Sequence, residues 1–295
     1  MTRSSYLAGL AIALGGAILF STKAIVAKLL YRYQLDAVTV LAFRMLFSLP
    51  VFAAVALWKM RREAPLSTAD RWRVLGLGLV GYYLSSFLDF LGLQYISVGL
   101  ERLILFLTPS FVLLMTAFLL KRRVSRTEWT ALGLSYAGIV LVFQHDVRGG
   151  GWGAVLGASL VLGSAFAYAV YLLQSGELVK RLGSLRLVAY AMCVSSAACI
   201  GQFLLLRPAA LLVQPLPVYG LSLINGVFCT IFPVWMTMYA VQRIGAPSAS
   251  QAGMVGPVST LLLGWALLGE AVTTIQLAGT ALVLGGIYLL STRKA

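Results

Sequence analysis

The sequence predicts an all-α membrane protein in which ten transmembrane helices form two inverted five-helix repeats. Three observations predict it. Sixty per cent of the 295 residues are hydrophobic, 11% are charged, and the mean hydropathy is +0.91, whereas soluble domains carry about 25% charge. The apolar residues fall into stretches of about 20, the length that crosses a bilayer. Blocks of the first half recur in the second at a nearly constant spacing. Most stretches lack a polar face at helical period, which excludes the buried core of a large soluble enzyme.

The stretches follow in order. The first, 5–30, resembles a signal peptide, but it is too long, Lys23 interrupts it, and no convincing small-x-small cleavage site follows, so it reads as a membrane helix. The second, 36–58, ends at the basic cluster KMRRE. The third and fourth, 72–94 and 98–120, leave only Tyr95–Ser97 for a tight hairpin. The cluster KRRVSR introduces the fifth, 125–144, and VKRLG separates the sixth, 152–175, from the seventh, 184–206. The eighth, ninth and tenth are 216–241, 247–269 and 274–292, with a second tight hairpin around Ile244–Ala246.

The net charge of +14 would suit a nucleic-acid binder. Its placement excludes that, because the basic residues sit in short breaks between apolar runs and form no stripe with aromatics. One side of the membrane collects sixteen Lys and Arg: Arg3, Lys59, Arg61, Arg62, Arg71, Arg73, Lys121, Arg122, Arg123, Arg126, Lys180, Arg181, Arg186, Arg243, Arg293 and Lys294. The other holds four, Lys28, Arg32, Arg148 and Arg207. Both termini are therefore expected in the cytoplasm, in a multi-pass protein of a bacterial inner membrane. Cys193, Cys199 and Cys229 lie inside apolar runs without metal-ligand spacing and read as small buried hydrophobes. His145 reads as a loop residue at the outer end of the fifth span. No metal site, cofactor or nucleotide-binding Walker motif is expected.

The repeat divides the chain into 1–146 and 147–295, five helices each. LTPSFVLLMTAFLL (107–120) aligns with VGPVSTLLLGWALL (255–268) at an offset of 148, which carries Pro109 onto Pro257, Ala131 onto Gly279 and Gly138 onto Gly286. GAILFS from Gly16 aligns with GSAFAY from Gly163 at 147. An odd number of spans per repeat inverts the second half relative to the first. That architecture belongs to alternating-access transporters, whose substrate site lies between the repeats.

The stretches YISVGLERLILFLTPSF and RIGAPSASQAGMVGPVSTLLLGWALLGE resemble the drug/metabolite transporter superfamily, specifically its ten-helix EamA-type members. Within these the chain is most similar to the YddG-type amino-acid exporters. The resemblance implies a secondary transporter, not an enzyme, that exports amino acids, aromatic and other large neutral ones, by alternating access. The alternative is an exporter of another small metabolite or drug. The partners it implies are a small-molecule amino-acid substrate and the lipid bilayer, with a monomer expected. One departure is that Glu101 and Arg102 correspond at offset 148 to Ala249 and Ser250.

The charged residues inside the spans point to the site. Lys23, Arg44, Asp89, Glu101 and Arg102 all fall in the outer third of the first half, and the second half offers Gln174, Asn225 and Gln251. Intramembrane ionisable groups mark substrate paths or pair with one another. Reflection about the Tyr95–Ser97 hairpin sets Asp89 opposite Arg102, so these two are expected as a structural ion pair, with Glu101 against Arg44 or Lys23. Lys23 and Arg44, each roughly 10 Å deep, are candidate substrate-binding cations. Tyr82, Tyr83, Tyr168, Tyr171, Trp235 and Tyr239 are candidates for aromatic walls, against the alternative that they serve helix packing. Pro109 and Pro257, at equivalent positions, are candidate hinges, against the alternative of static kinks.

Overall fold

The computed structural model describes the backbone of residues 3–119, 121 and 123–292. Arg122, Arg293 and Lys294 of the expected basic loops lie outside the described residues, as do the side chains of Arg3, Ala249, Ser250 and Gln251. Among the described residues every regular element is helical. Helix α1 spans Arg3–Tyr31 and α2 spans Ala37–Arg62. Helix α3, Thr68–Leu77, runs through a π-helical segment, Gly78–Leu84, into α4, Ser85–Leu93. Helices α5, Val98–Leu105, and α6, Thr108–Leu119, make up the fourth span.

Helix α7 covers Arg126–Leu182, but Gly151 breaks it at φ 55°, ψ −139°. That positive φ costs glycine little, having no Cβ, so the fifth and sixth spans become the two arms of α7. Helix α8 is Ser184–Leu206, and α9, Leu216–Gly226, passes through a π-helical Val227–Ile231 into α10, Phe232–Gly253. Helix α11, Val255–Leu263, continues into a π-helical Gly264–Leu268, and α12 is Thr274–Thr292. Seven stretches are long and apolar enough to cross a membrane, and Val255–Leu268 and Thr274–Leu289 are shorter apolar helices. The first arm of α7 completes the expected ten. One expectation fails: α10 runs unbroken through Ile244–Ala246, where a hairpin was expected.

Polar residues at helix starts explain where the chain turns. Asp36 accepts from the Thr39 amide, Ser67 from Asp70 and Ser97 from Leu100, each satisfying a first-turn N–H. Ser125 and Glu128 form a reciprocal capping box on α7. The prolines follow the same logic. The fourth span breaks at Phe106–Leu107 and the ninth at Met254, and offset 148 carries Phe106 onto Met254. Pro109 and Pro257 therefore stand in the first turn of a restarting helix, where the missing N–H had no intrahelical partner to lose.

The two repeats meet through small residues. A Cβ on Gly138 would lie 2.5 Å from the Gly279 carbonyl oxygen, and one on Gly286 would lie 2.5 Å from that of Ala131. Offset 148 turns Ala131 into Gly279 and Gly138 into Gly286, so this contact between the first arm of α7 and α12 maps onto itself. A contact of that kind is isologous, as across a two-fold axis.

Polar ties link the halves at both ends of the bundle. At the rim opposite the N-terminus, Arg207 pairs with Asp36, Arg32 donates to the Leu268 carbonyl at 2.9 Å, and the Val98 amide donates to Glu270 at 3.3 Å. Burial opposes ionisation of Asp36, but hydrogen bonds from Arg207 and Thr39 hold its carboxyl below the ordinary range. Burial pushes the Glu270 carboxyl up, with Lys28 opposing. At the other rim, Arg181 meets Asp70 at 2.7 Å and Arg186 meets Glu63 at 3.2 Å.

Candidate functional site

A cavity of about 530 Å³ lies between the repeats, lined by α1, α2, the α3–α4 span, α5, α6, the second arm of α7, α8, α10 and α12. Its charged end holds Lys23, Arg44, Asp89 and Arg102, and it extends from there along α1 toward Ala13, at the N-terminal side. All four are nearly sealed from solvent, between 2% and 6% exposed.

Their partners differ from the expected set. Lys23 Nζ donates to Asp89 Oδ2 and lies 3.6 Å from Glu101 Oε1. Arg102 donates through Nη2 to the Ser21 hydroxyl at 2.6 Å, and Ser21 lies 3.2 Å from the Gly256 carbonyl, to which it can donate. The expected Asp89–Arg102 pair is thus corrected: among the described ion pairs, Asp89 belongs to Lys23. The hairpin fixes depth, but the rotation of α4 aims Asp89 at α1, and Arg102 reaches past it to the restart of the ninth span. Arg44 Nε donates to Thr230 Oγ1 at 2.9 Å, and Thr230 in turn donates to the Asn225 carbonyl at 2.8 Å, within the π-helical turn. Phenylalanine faces complete this end: Lys23 Nζ lies 5.3 Å and the Arg102 guanidinium 5.1 Å from the Phe20 ring, and Arg44 lies 5.3 Å from Phe90.

Three buried polar atoms on lining residues have no hydrogen-bond partner among the described residues: Arg44 Nη1, Asp89 Oδ1 and Arg102 Nε. Buried polar atoms are almost always satisfied. Two unused donors and one unused acceptor at one end of a cavity suit a ligand that bears both an anion and a cation.

The aromatic candidates divide. Tyr82 and Tyr168 line the cavity. Tyr171 stands behind them, with its ring 4.9 Å from Tyr82 and 5.6 Å from Tyr168, and it shares a 3.2 Å hydrogen bond with Tyr82. Gly81 makes room for it, since a Cβ there would collide with the Tyr171 ring. Tyr83 stacks on Phe87 away from the lining. Trp235 and Tyr239 turn outward, 39% and 41% exposed. Val234 and Thr237 line the cavity from the same helix, and about 100° per residue swings Trp235 off that face. Tyr83, Tyr171, Trp235 and Tyr239 are corrected accordingly: they do not wall the cavity. Pro109 lines it and Pro257 is buried outside it.

Sequence reasoning missed Phe20, Ser21, Ser85, Ser164 and Thr230. Ser85 and Ser164 share a 3.1 Å hydrogen bond across the repeats. The hydroxyl residues gave no signal apart from apolar surroundings. Phe20 gave one, a phenylalanine one turn from Lys23.

The EamA-like transporter family model matches the chain twice, over residues 7–144 and 155–292. The chain belongs to the EamA-like transporter family. This EamA-like chain is 31% identical to the "Uncharacterized transporter YcbK" of Bacillus subtilis (strain 168), over 97% of this chain and 92% of that one. It is 24% identical to a "Probable amino-acid metabolite efflux pump" of Salmonella typhimurium, over 82% of each chain. A solved crystal structure superposes with a TM-score of 0.66 over 99% of both chains at 20% identity, a likeness of fold alone. As an EamA-like protein it is a multi-pass membrane transporter built from two repeated domains.

Proposed function

We propose that this transporter exports amino acids, aromatic and other large neutral ones, by alternating access of its two inverted repeats. The observation that carries this reading is the set of unpartnered atoms at the charged end of the cavity. The substrate carboxylate accepts from Arg44, with Arg102 beside it, and the ammonium donates to Asp89 Oδ1. The side chain extends toward Tyr82, Tyr168 and Phe106, an apolar wall with hydroxyl tips. The self-mapping contact of α7 with α12 supports inversion, and the Salmonella efflux pump supports amino-acid metabolites as the substrate class. The helix restarts before Pro109 and Pro257 serve as hinges. The protein sits in a bacterial inner membrane with both termini cytoplasmic and functions as a monomer.

The alternative within the family is export of another metabolite or a drug. Reconstituted vesicles loaded with labelled phenylalanine, leucine, lysine and glutamate separate the two. Saturable efflux and counterflow of phenylalanine and leucine are expected. Absence of all amino-acid flux from protein that is folded in the vesicle overturns the reading.

A further inference from the structure

The proposed substrate contacts leave one ionisable group unused. Glu101 has no exposed surface, and neither of its oxygens accepts a hydrogen bond from a described residue. Its ammonium neighbour, Lys23, is 3.6 Å away and stands closer to Asp89. A buried carboxylate without hydrogen bonds is strongly disfavoured over its neutral form. Asp89 and Glu101 meet the same Lys23 Nζ, so the two carboxyls stand on either side of a single ammonium. Two carboxylates are both acceptors and cannot hydrogen-bond one another. A carboxyl and a carboxylate can hold one proton between them.

Among the described residues, the surroundings supply no second cation in salt-bridge contact. From α1, Lys23 faces the pair, and Lys28 and Tyr31 interact with it electrostatically from nearer the rim. From α2, Arg44 is committed to Thr230, and on α5 itself Arg102 turns to Ser21. Asp146 from α7 and Glu270 beyond the ninth span add negative charge around Lys28. Lys23 is therefore the cation in contact with both carboxylates among the described ion pairs, and Arg44 and Arg102 add positive charge without pairing with either.

That charge count has a consequence for transport. With one proton held, Lys23, Asp89 and Glu101 sum to zero. With the proton gone and a substrate ammonium on Asp89 Oδ1, two cations face two carboxylates and the sum is again zero. With neither, the contact group of Lys23, Asp89 and Glu101 keeps one carboxylate without a cation of its own, and Arg44 and Arg102, bonded to Thr230 and Ser21, form no described ion pair with it. We propose that Asp89 and Glu101 hold a single proton between them, that the substrate's ammonium displaces it to bulk water, and that transport is therefore an exchange of substrate for a proton. The proposal rests on the amino-acid reading for the displacing group, and on Glu101 itself for the proton.

Two measurements test the parts separately. Infrared difference spectra of the purified protein between acid and alkaline buffer, with no amino acid present, read the shared proton as a titrating carboxyl C=O band. The band is expected in the wild type and absent from Glu101→Gln. No titrating band in the wild type, or an unchanged band in the variant, overturns the proton site. The second measurement adds phenylalanine to weakly buffered protein. Release of about one proton per bound molecule is expected in the wild type and none in Glu101→Gln. In vesicles the variant should still exchange labelled phenylalanine, at reduced affinity, while a proton gradient no longer drives its movement. Proton uptake in place of release, or gradient-driven transport by the variant, overturns the exchange. A wild type that binds no phenylalanine refutes the amino-acid reading and the displacement step together, and the infrared titration still decides the proton site. Should Glu101→Gln fail to fold, Glu101→Asp is expected to keep a carboxyl band at a displaced midpoint, and an undisplaced midpoint counts against Glu101.

Discussion

Lys23 on α1 and Asp89 on α4 form a buried ion pair across sixty-six positions of chain, joining the first and third spans at the charged end of the cavity. Removing one partner of such a pair leaves the other charge uncompensated, at a cost of about 3–5 kcal/mol. Lys23→Met is therefore expected to lower the melting temperature of the purified protein markedly as well as abolish transport. The double variant Lys23→Met/Asp89→Asn should recover part of the lost stability and none of the transport. Additive losses in that cycle would show that the two side chains are not coupled.

Arg44 tests the carboxylate contact. Arg44→Lys keeps the charge but has no planar fork to bond Thr230 and a carboxylate at once. Loss of one charge-assisted bond of about 1.5–3 kcal/mol corresponds to a ten- to hundred-fold rise in the half-saturating concentration of phenylalanine. Vesicle flux measured over a range of concentrations reads it, and an unchanged half-saturation would remove Arg44 from the substrate path.

Gly81 and Tyr171 test the tyrosine layer. Gly81→Ala drives a methyl group into the Tyr171 ring and is expected to destabilise by about 1–3 kcal/mol. Gly81→Ala/Tyr171→Leu should restore part of this by making room. Thermal unfolding in detergent checks both. A destabilisation that persists undiminished in the double variant would point to the π-helical backbone itself.

Asp36 carries a pH prediction. Its folded carboxyl titrates below its ordinary range, so its contribution is present above that range and is lost as pH falls through the folded value. Melting temperature should drop on acidification below about pH 4. Asp36→Asn should be less stable at neutral pH and show a shallower drop. Because the group is one-third exposed, the effect is modest.

The excess of basic residues on one side predicts that a reporter fused after Ala295 is active only as a cytoplasmic reporter. Activity of a periplasm-dependent reporter there would reverse the orientation.

Much of the fold was legible because hydropathy records span length directly and the bilayer admits few alternatives. Clustering of Lys23, Arg44, Asp89, Glu101 and Arg102 followed from depth along each helix. Which of them touch did not, because pairing depends on helix rotation, and a π-helical turn such as Gly78–Leu84 shifts that rotation without a sequence signature. Trp235 and Tyr239 misled for the same reason, since aromatic content says nothing about the face. Tyr82 and Tyr168 line the cavity and Tyr171 packs behind them. The break expected at Ile244–Ala246 rests on a dip in hydropathy, which does not by itself interrupt a helix, and the backbone there stays helical.

The self-mapping contact between the first arm of α7 and α12 makes the chain, in effect, a dimer joined by a covalent tether. Ala131, Gly138, Gly279 and Gly286 are the surface that each half presents to the other, with each position meeting its twin's partner. Within one chain the twins are free to differ, and Glu101 and Arg102 correspond at offset 148 to Ala249 and Ser250. Cutting the tether where it already bends, at Gly151, should leave two polypeptides that find each other through that seam when co-expressed.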